Sequence, residues 1–122
     1  MVRKTSRLRR PNDPPILILT SLAGGPKHGH ALSKDIEGFA GVVLGPGALY
    51  GAITRLEEQG LIEPLEPDDR RRPYRISATG STYLSDAVNE MQRLADEGAR
   101  RLAVASRASV PRRGPRVAGR LA

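Results

Sequence analysis

One stretch of this chain constrains its fold more than any other: GPGALYGAITRLEEQG, residues 45–60. Pro46 suits a helix's first turn, where a missing N–H costs nothing, and Gly60 is a stop signal. Between them Leu49, Ala52, Ile53 and Leu56 recur at helical spacing and predict an apolar face turned to a core, over about residues 46–59. The opposite face is unusually small. It holds Gly47, Gly51 and Thr54, with Tyr50 among them and Arg55 at one edge. A glycine inside a helix costs up to about 1 kcal/mol relative to alanine, so two on one exposed face call for a steric reason. The major groove of DNA, about 12 Å wide, supplies one, because small side chains let the backbone approach base edges and phosphates. Tyr50 and Thr54 are then candidates for phosphate or thymine-methyl contacts, and Arg55 for a phosphate or a guanine. Close packing of the two glycines against another part of the protein is the other reading, and these residues alone leave it open.

The flanking segments complete the pattern. Asp13 can cap a first helix opened by Pro14 and Pro15, carrying Ile16, Leu17, Ile18, Leu19 and Leu22 and ended by Gly24-Gly25. Pro26 to Gly29 reads as a turn. Ala31, Leu32, Ile36 and Phe39 predict a second helix over about 29–39. After the third helix, two short extended runs, Leu61–Glu66 and Tyr74–Ser77, flank the polar, Pro-bounded loop Pro67–Pro73 and predict a hairpin. Pro64 restricts the first of these strands to a sheet edge. Ser77 can cap a fourth, longest helix with an apolar stripe of Leu84, Val88, Met91, Leu94, Ala95, Gly98 and Leu102. The expected fold class is mainly α with a small β-hairpin: a winged helix-turn-helix over residues 13–77, followed by a long C-terminal dimerisation helix over 78–105. In that arrangement the third helix enters the major groove and the hairpin flanks it. The stripe is longer than a three-helix core can cover, so a second copy is expected to hide the excess.

Charge narrows the choice of partner. The net charge is +7, yet the tails 1–12 and 106–122, expected to be without fixed structure, carry ten of the twenty Lys and Arg and no acid. The segment 11–104 has the other ten against all thirteen acids, a net −3. The basic tails suit a polyanion, or simply solubility. Inside the middle segment one cluster stands out, Arg70, Arg71, Arg72 and Arg75 on the hairpin. Asp68 and Asp69 are too few to neutralise it, so these arginines are candidates for DNA phosphates or a narrow minor groove.

Three further motifs carry a resemblance. GPKHGH at 25–30 resembles the His-Gly turn of PadR-family transcriptional regulators. PGALYGAITRLEEQGLI at 46–62 is similar to that family's recognition segment, and RPYRIS at 72–77 followed by Gly80 to its wing end. The matches keep the family's order and cover about 14–104. His30 stands where Tyr is usual, and Ala48 where Thr is common, which leaves Tyr50 and Thr54 as the better contact candidates. The resemblance implies a dimeric winged-helix repressor that places its third helix and wing on double-stranded DNA, at a palindromic operator, and pairs through its C-terminal helix. A small-molecule effector of unknown identity is a further expectation from the family.

Other classes are set aside. With no Cys and only two His, His28 and His30, no metal site or other cofactor is expected; His28 reads as a turn-stabilising residue. No nucleophile, base and orienting group occur together, so no enzyme is expected. No apolar run is long enough for a membrane span, and Ile16–Leu19 is too short for a signal peptide's core, so a cytoplasmic protein is expected. The reading from another class is a winged-helix module that binds protein, or a non-specific basic DNA-binding adaptor acting through its tails.

Overall fold

A computed structural model describes residues 12–109. The elements run α1 (Pro14–Ala23), β1 (Lys27–His28), α2 (Gly29–Ala40), α3 (Pro46–Glu58), β2 (Ile62–Pro64), β3 (Pro73–Ile76) and α4 (Ala78–Ser109). Of the basic tails expected at 1–12 and 106–122, residues 1–11 and 110–122 lie outside the described residues.

Four consecutive residues of α1, Ile16 to Leu19, are buried, and Leu22 with them. A helix that is apolar all round must be covered all round, and α1 packs against α2, α3 and β3. Leu32, Ile36, Leu49, Ala52, Ile53, Leu56, Leu61 and Ile62 complete the core with Leu84 and Ala87. The predicted inner face of α3 is therefore the observed one. Asp13 occupies the N-cap position of α1 without a side-chain capping bond, and its carbonyl accepts from Leu17 N–H. The far end of α1 is held from α2's side. Lys27 Nζ donates to Ser21 O at 2.6 Å, as suits a cation at a helix C-terminus, and Ser21 Oγ donates to Asp35 Oδ2 at 2.6 Å.

Lys27–His28, expected as a turn, forms a short third strand. The sheet order is β1-β3-β2, antiparallel throughout, with Lys27 opposite Tyr74 and Glu63 opposite Arg75. Two residues are too few to carry a strand's period; only the neighbouring β3 makes them one. Pro64 does sit on an edge strand.

At the end of α3, Gly60 takes φ 75°, Gly60 N–H bonds Glu57 O, and Leu61 N–H reaches back to Leu56 O. This is a Schellman stop, and Leu56 and Leu61 bury together beside it. Ser77 joins that stop to α4. Its Oγ accepts from Gly80 N–H at 3.0 Å as the expected cap and donates to Gly60 O at 2.6 Å. Gly80 lies so close to Leu61 that a Cβ would collide with the Leu61 carbonyl oxygen and stand 2.9 Å from Ile76 Cγ1.

The wing tip is a two-residue turn. Asp68 and Arg71 exchange both backbone hydrogen bonds, at 2.7 and 2.9 Å, and the central residues Asp69 and Arg70 have φ 56° and 70°. Positive φ at both positions is the mark of a type I′ turn, whose second central residue is by preference glycine. Asp tolerates this region; Arg is strained in it.

The first compact unit extends through Val88 and takes in the start of α4, because Leu84 and Ala87 bury in its core. Leu84 is thus a core residue of its own domain and not, as the sequence suggested, part of a face left for a second copy. The second unit begins at Asn89. Within it the helix continues to Ser109, past the expected end at 105, and Glu97 holds both Arg100 and Arg101 at 2.5 Å. These bonds, first that from Arg100, hold the Glu97 carboxyl below its usual range.

Gly80→Ala is expected to destabilise the fold by about 1–3 kcal/mol, as overpacking against backbone does, measured by urea denaturation. Arg70→Gly is expected to stabilise it by up to about 1 kcal/mol by relieving the positive φ, seen as a raised melting temperature.

Candidate nucleic-acid interface

The N-terminus of α2, the first turn of α3 and the wing meet around one cleft. It has a volume of about 280 Å³ and is lined by His28, Gly29, His30, Tyr50, Arg70, Arg71, Arg72 and Tyr74. No carboxylate is among those lining groups. Three of the four wing arginines and Tyr50, named from sequence, are therefore brought together; His28, Gly29 and Tyr74 join them without having been named as contacts.

Tyr50 owes its place to a glycine. A Cβ on Gly29 would collide with the Tyr50 hydroxyl and stand 2.7 Å from Cζ. Only a residue without a side chain lets this ring lie across the start of α2. The GPKHGH motif hinted at Gly29, but its partner is twenty-one positions away and no local pattern names it. His28 caps α2: its Nδ1 accepts from Ala31 N–H at 3.3 Å. This is the stabilising role expected of it. Its Nε2 lies 3.2 Å from Arg71 Nη1, and its ring stacks near-parallel with His30, centroids 6.4 Å apart. Tyr74 is half-buried, and its phenol titrates above the usual range, first through burial and then through the nearby Glu57.

The wing arginines differ in their engagements. Arg72 Nη1 donates to Leu65 O at 3.2 Å. Arg75 is bound through Nε and Nη2 to Glu63 Oε1, at 3.0 and 2.8 Å. This cross-strand pair sets Arg75 apart from the expected cationic cluster, and it does not line the cleft. Asp68 and Asp69 make no ion pair with the arginines among the described residues; the acid that matters is Glu63.

Along α3 the outer face is as bare as the sequence indicated. Apart from its chain neighbours and the helix's own backbone, no described atom lies within 4 Å of where a Cβ on Gly47 would stand, and a Cβ on Gly51 would meet only Arg55 Nη1 at 3.6 Å. Packing among the described residues does not account for these glycines. Thr54 Oγ1 donates to Tyr50 O at 2.9 Å, so its proton is spent on the helix; its lone pairs and methyl group remain outward. Gly47, Thr54 and Arg55 are exposed or nearly so and lie apart from the cleft. Of the named stripe on α4, Val88 is 46% exposed, Leu94 76% and Leu102 73%. Ala95 and Gly98 are also exposed, and Met91 is half-buried.

Among the described residues no group of three or more His, Asp or Glu side chains could hold a metal ion, and no helix is long and apolar enough to cross a membrane.

Comparison with known proteins places this geometry. A 37.1 kDa protein of transposon TN4556 in Streptomyces fradiae is 45% identical over 85 residues, which make up 70% of this chain and 25% of that protein. The chain thus spans about a quarter of that relative's length. A transcriptional regulator from Clostridium thermocellum superposes with a TM-score of 0.63 at 28% identity, covering 70% of this chain and 89% of its own. A PadR family regulator from Eggerthella lenta does so with 0.62 at 27% identity, covering 84% and 88%. A PadR family regulator from Clostridium difficile reaches 0.66 at 21% identity, covering 73% and 97%, a likeness that speaks to the fold alone. Residues 18–86 match the family model described as the transcriptional regulator PadR-like family. With more than half its length within that match, the chain belongs to the PadR-like family of transcriptional regulators.

Proposed function

We propose that the protein is a homodimeric, sequence-specific repressor that reads a palindromic operator in the cytoplasm, with α3 in the major groove and the wing against the backbone. The observation that supports this reading is the outer face of α3: among the described residues nothing packs over Gly47, and only the Arg55 side chain comes near Gly51. A groove wall is a body that needs that space. Thr54 and Arg55 are then the base-facing candidates, and Arg70, Arg71 and Arg72 the phosphate contacts. Arg75, engaged by Glu63, contributes less.

Selection of bound duplexes from a random pool tests specificity and half-site symmetry together. A single palindromic consensus is expected. Recovery of unrelated sequences, with binding lost only when the basic tails are deleted, would instead establish the non-specific adaptor. On the selected duplex Gly51→Ala is expected to weaken binding several-fold while the free protein gains up to about 1 kcal/mol of stability. Unchanged affinity would remove close approach as the reason for the glycine. Arg70→Gly, the more stable variant, should also bind more weakly.

The proposed dimer rests on Val88, Leu94 and Leu102, large apolar side chains exposed on α4. Twofold pairing would set two recognition helices about 34–36 Å apart, one turn of DNA. Light scattering behind size exclusion is expected to report twice the chain mass at micromolar concentration, and Leu94→Glu with Leu102→Glu to halve it. A wild-type monomer would refute the pairing. An effector would act by shifting this dimer's geometry; its chemical class is left to ligand screening.

A further inference from the structure

In the cleft between α2 and the wing two N–H donors converge on one imidazole, which can accept from only one of them while neutral. Ala31 N–H, in the first turn of α2, points at His28 Nδ1 at 3.3 Å. Arg71 Nη1 lies 3.2 Å from the same ring's Nε2. A neutral imidazole accepts at one nitrogen and donates at the other, and guanidinium only donates. The amide is fixed by the helix, whereas Arg71 is exposed and free to turn. Nδ1 is therefore the acceptor, Nε2 carries the hydrogen, and Nε2–H faces an Arg N–H. The other tautomer would move the clash to Ala31 without removing it.

An anion resolves the conflict, because one of its oxygens can accept from both groups. The surroundings suit it. Arg70 and Arg72 line the same cleft, with Tyr50 and Tyr74 and no carboxylate. The Tyr74 phenol, like any tyrosine at neutral pH, is a hydroxyl donor. Arg70 is held at a positive φ where glycine is the natural occupant, and strain of this kind gathers at functional positions.

We infer that this cleft seats one phosphodiester group of the DNA backbone, gripped jointly by His28 Nε2–H and the Arg71 guanidinium, with Tyr50 positioned beside it by Gly29. The inference rests on the DNA-binding reading above and deepens it. His28 thereby has two tasks: one ring nitrogen caps α2, and the other binds the strand that crosses it. The site lies between the recognition helix and the wing, so occupying it fixes the angle at which both meet the duplex.

The two tasks separate in one substitution. Asn is among the best N-cap residues, so His28→Asn keeps an acceptor for Ala31 N–H and removes the Nε2 donor. In the full chain its melting temperature is expected to match wild type, while affinity for the selected duplex falls about tenfold. Duplexes bearing one neutral methylphosphonate each then map the contact. At one position per half-site the loss should be smaller for His28→Asn than for wild type, because one of the two grips on that phosphate is already gone, while at the other positions the two proteins should lose alike. Equal affinity of His28→Asn and wild type, or equal sensitivity to every methylphosphonate, would overturn the inference. If His28→Asn fails to fold, Arg71→Gln is read in the same duplex series against the same two outcomes. If wild type binds no duplex at all, the DNA reading fails, and inorganic phosphate decides the seat. A shift of the His28 ring proton resonances at millimolar phosphate, absent in Arg71→Gln, would assign it to a free phosphate. No shift would overturn the seat as well.

Discussion

Ile16, Leu17, Ile18 and Leu19 are buried side by side on one short helix. Four neighbouring residues of an α-helix point in all directions, so no single packing partner can cover them. Helices α2 and α3 and strand β3 must all close on α1, and do. The wing is thereby tied to α3 through a shared core, although the eight residues 65–72 separate its strands. The spacing between α3 and the wing, on which any contact with a duplex depends, follows from a helix that touches no DNA in the proposed arrangement.

Around that core the polar contacts are economical. Ser77 both caps α4 and bonds the end of α3 through one hydroxyl. Lys27 closes α1 while β1, in which it sits, pairs with β3. His28 caps α2 and meets the wing through its other nitrogen. Each of these residues joins two elements, which lets a small domain hold a defined geometry with little buried surface. The cost is that such groups have few alternatives when one partner is lost.

Much of this was legible in the amino-acid order. The four helices, the wing strands, the Ser77 cap, the edge position of Pro64 and the inner face of α3 all follow from capping, periodicity and proline rules that act within a few residues. Three features were beyond its reach for a shared reason. β1 is a strand only because β3 lies beside it. Arg75 is paired because the hairpin register sets Glu63 opposite it. Leu84 is a core residue because the start of α4 folds onto the domain before the stripe becomes exposed. In each case the deciding partner is distant in sequence, and periodicity records a face without saying what covers it.

The sequence by itself determined the elements, their order and the bare outer face of α3, since helix caps, glycine content and apolar spacing are local properties. The tertiary structure alone decided that no other described segment packs over that face at Gly47. It alone brought His28, Tyr50 and Arg71 to one cleft, because their meeting depends on Gly29 admitting the Tyr50 ring and on a left-handed turn at Asp69 and Arg70. Close approach and turn handedness are relations between distant atoms, and a linear pattern does not encode which surfaces will touch.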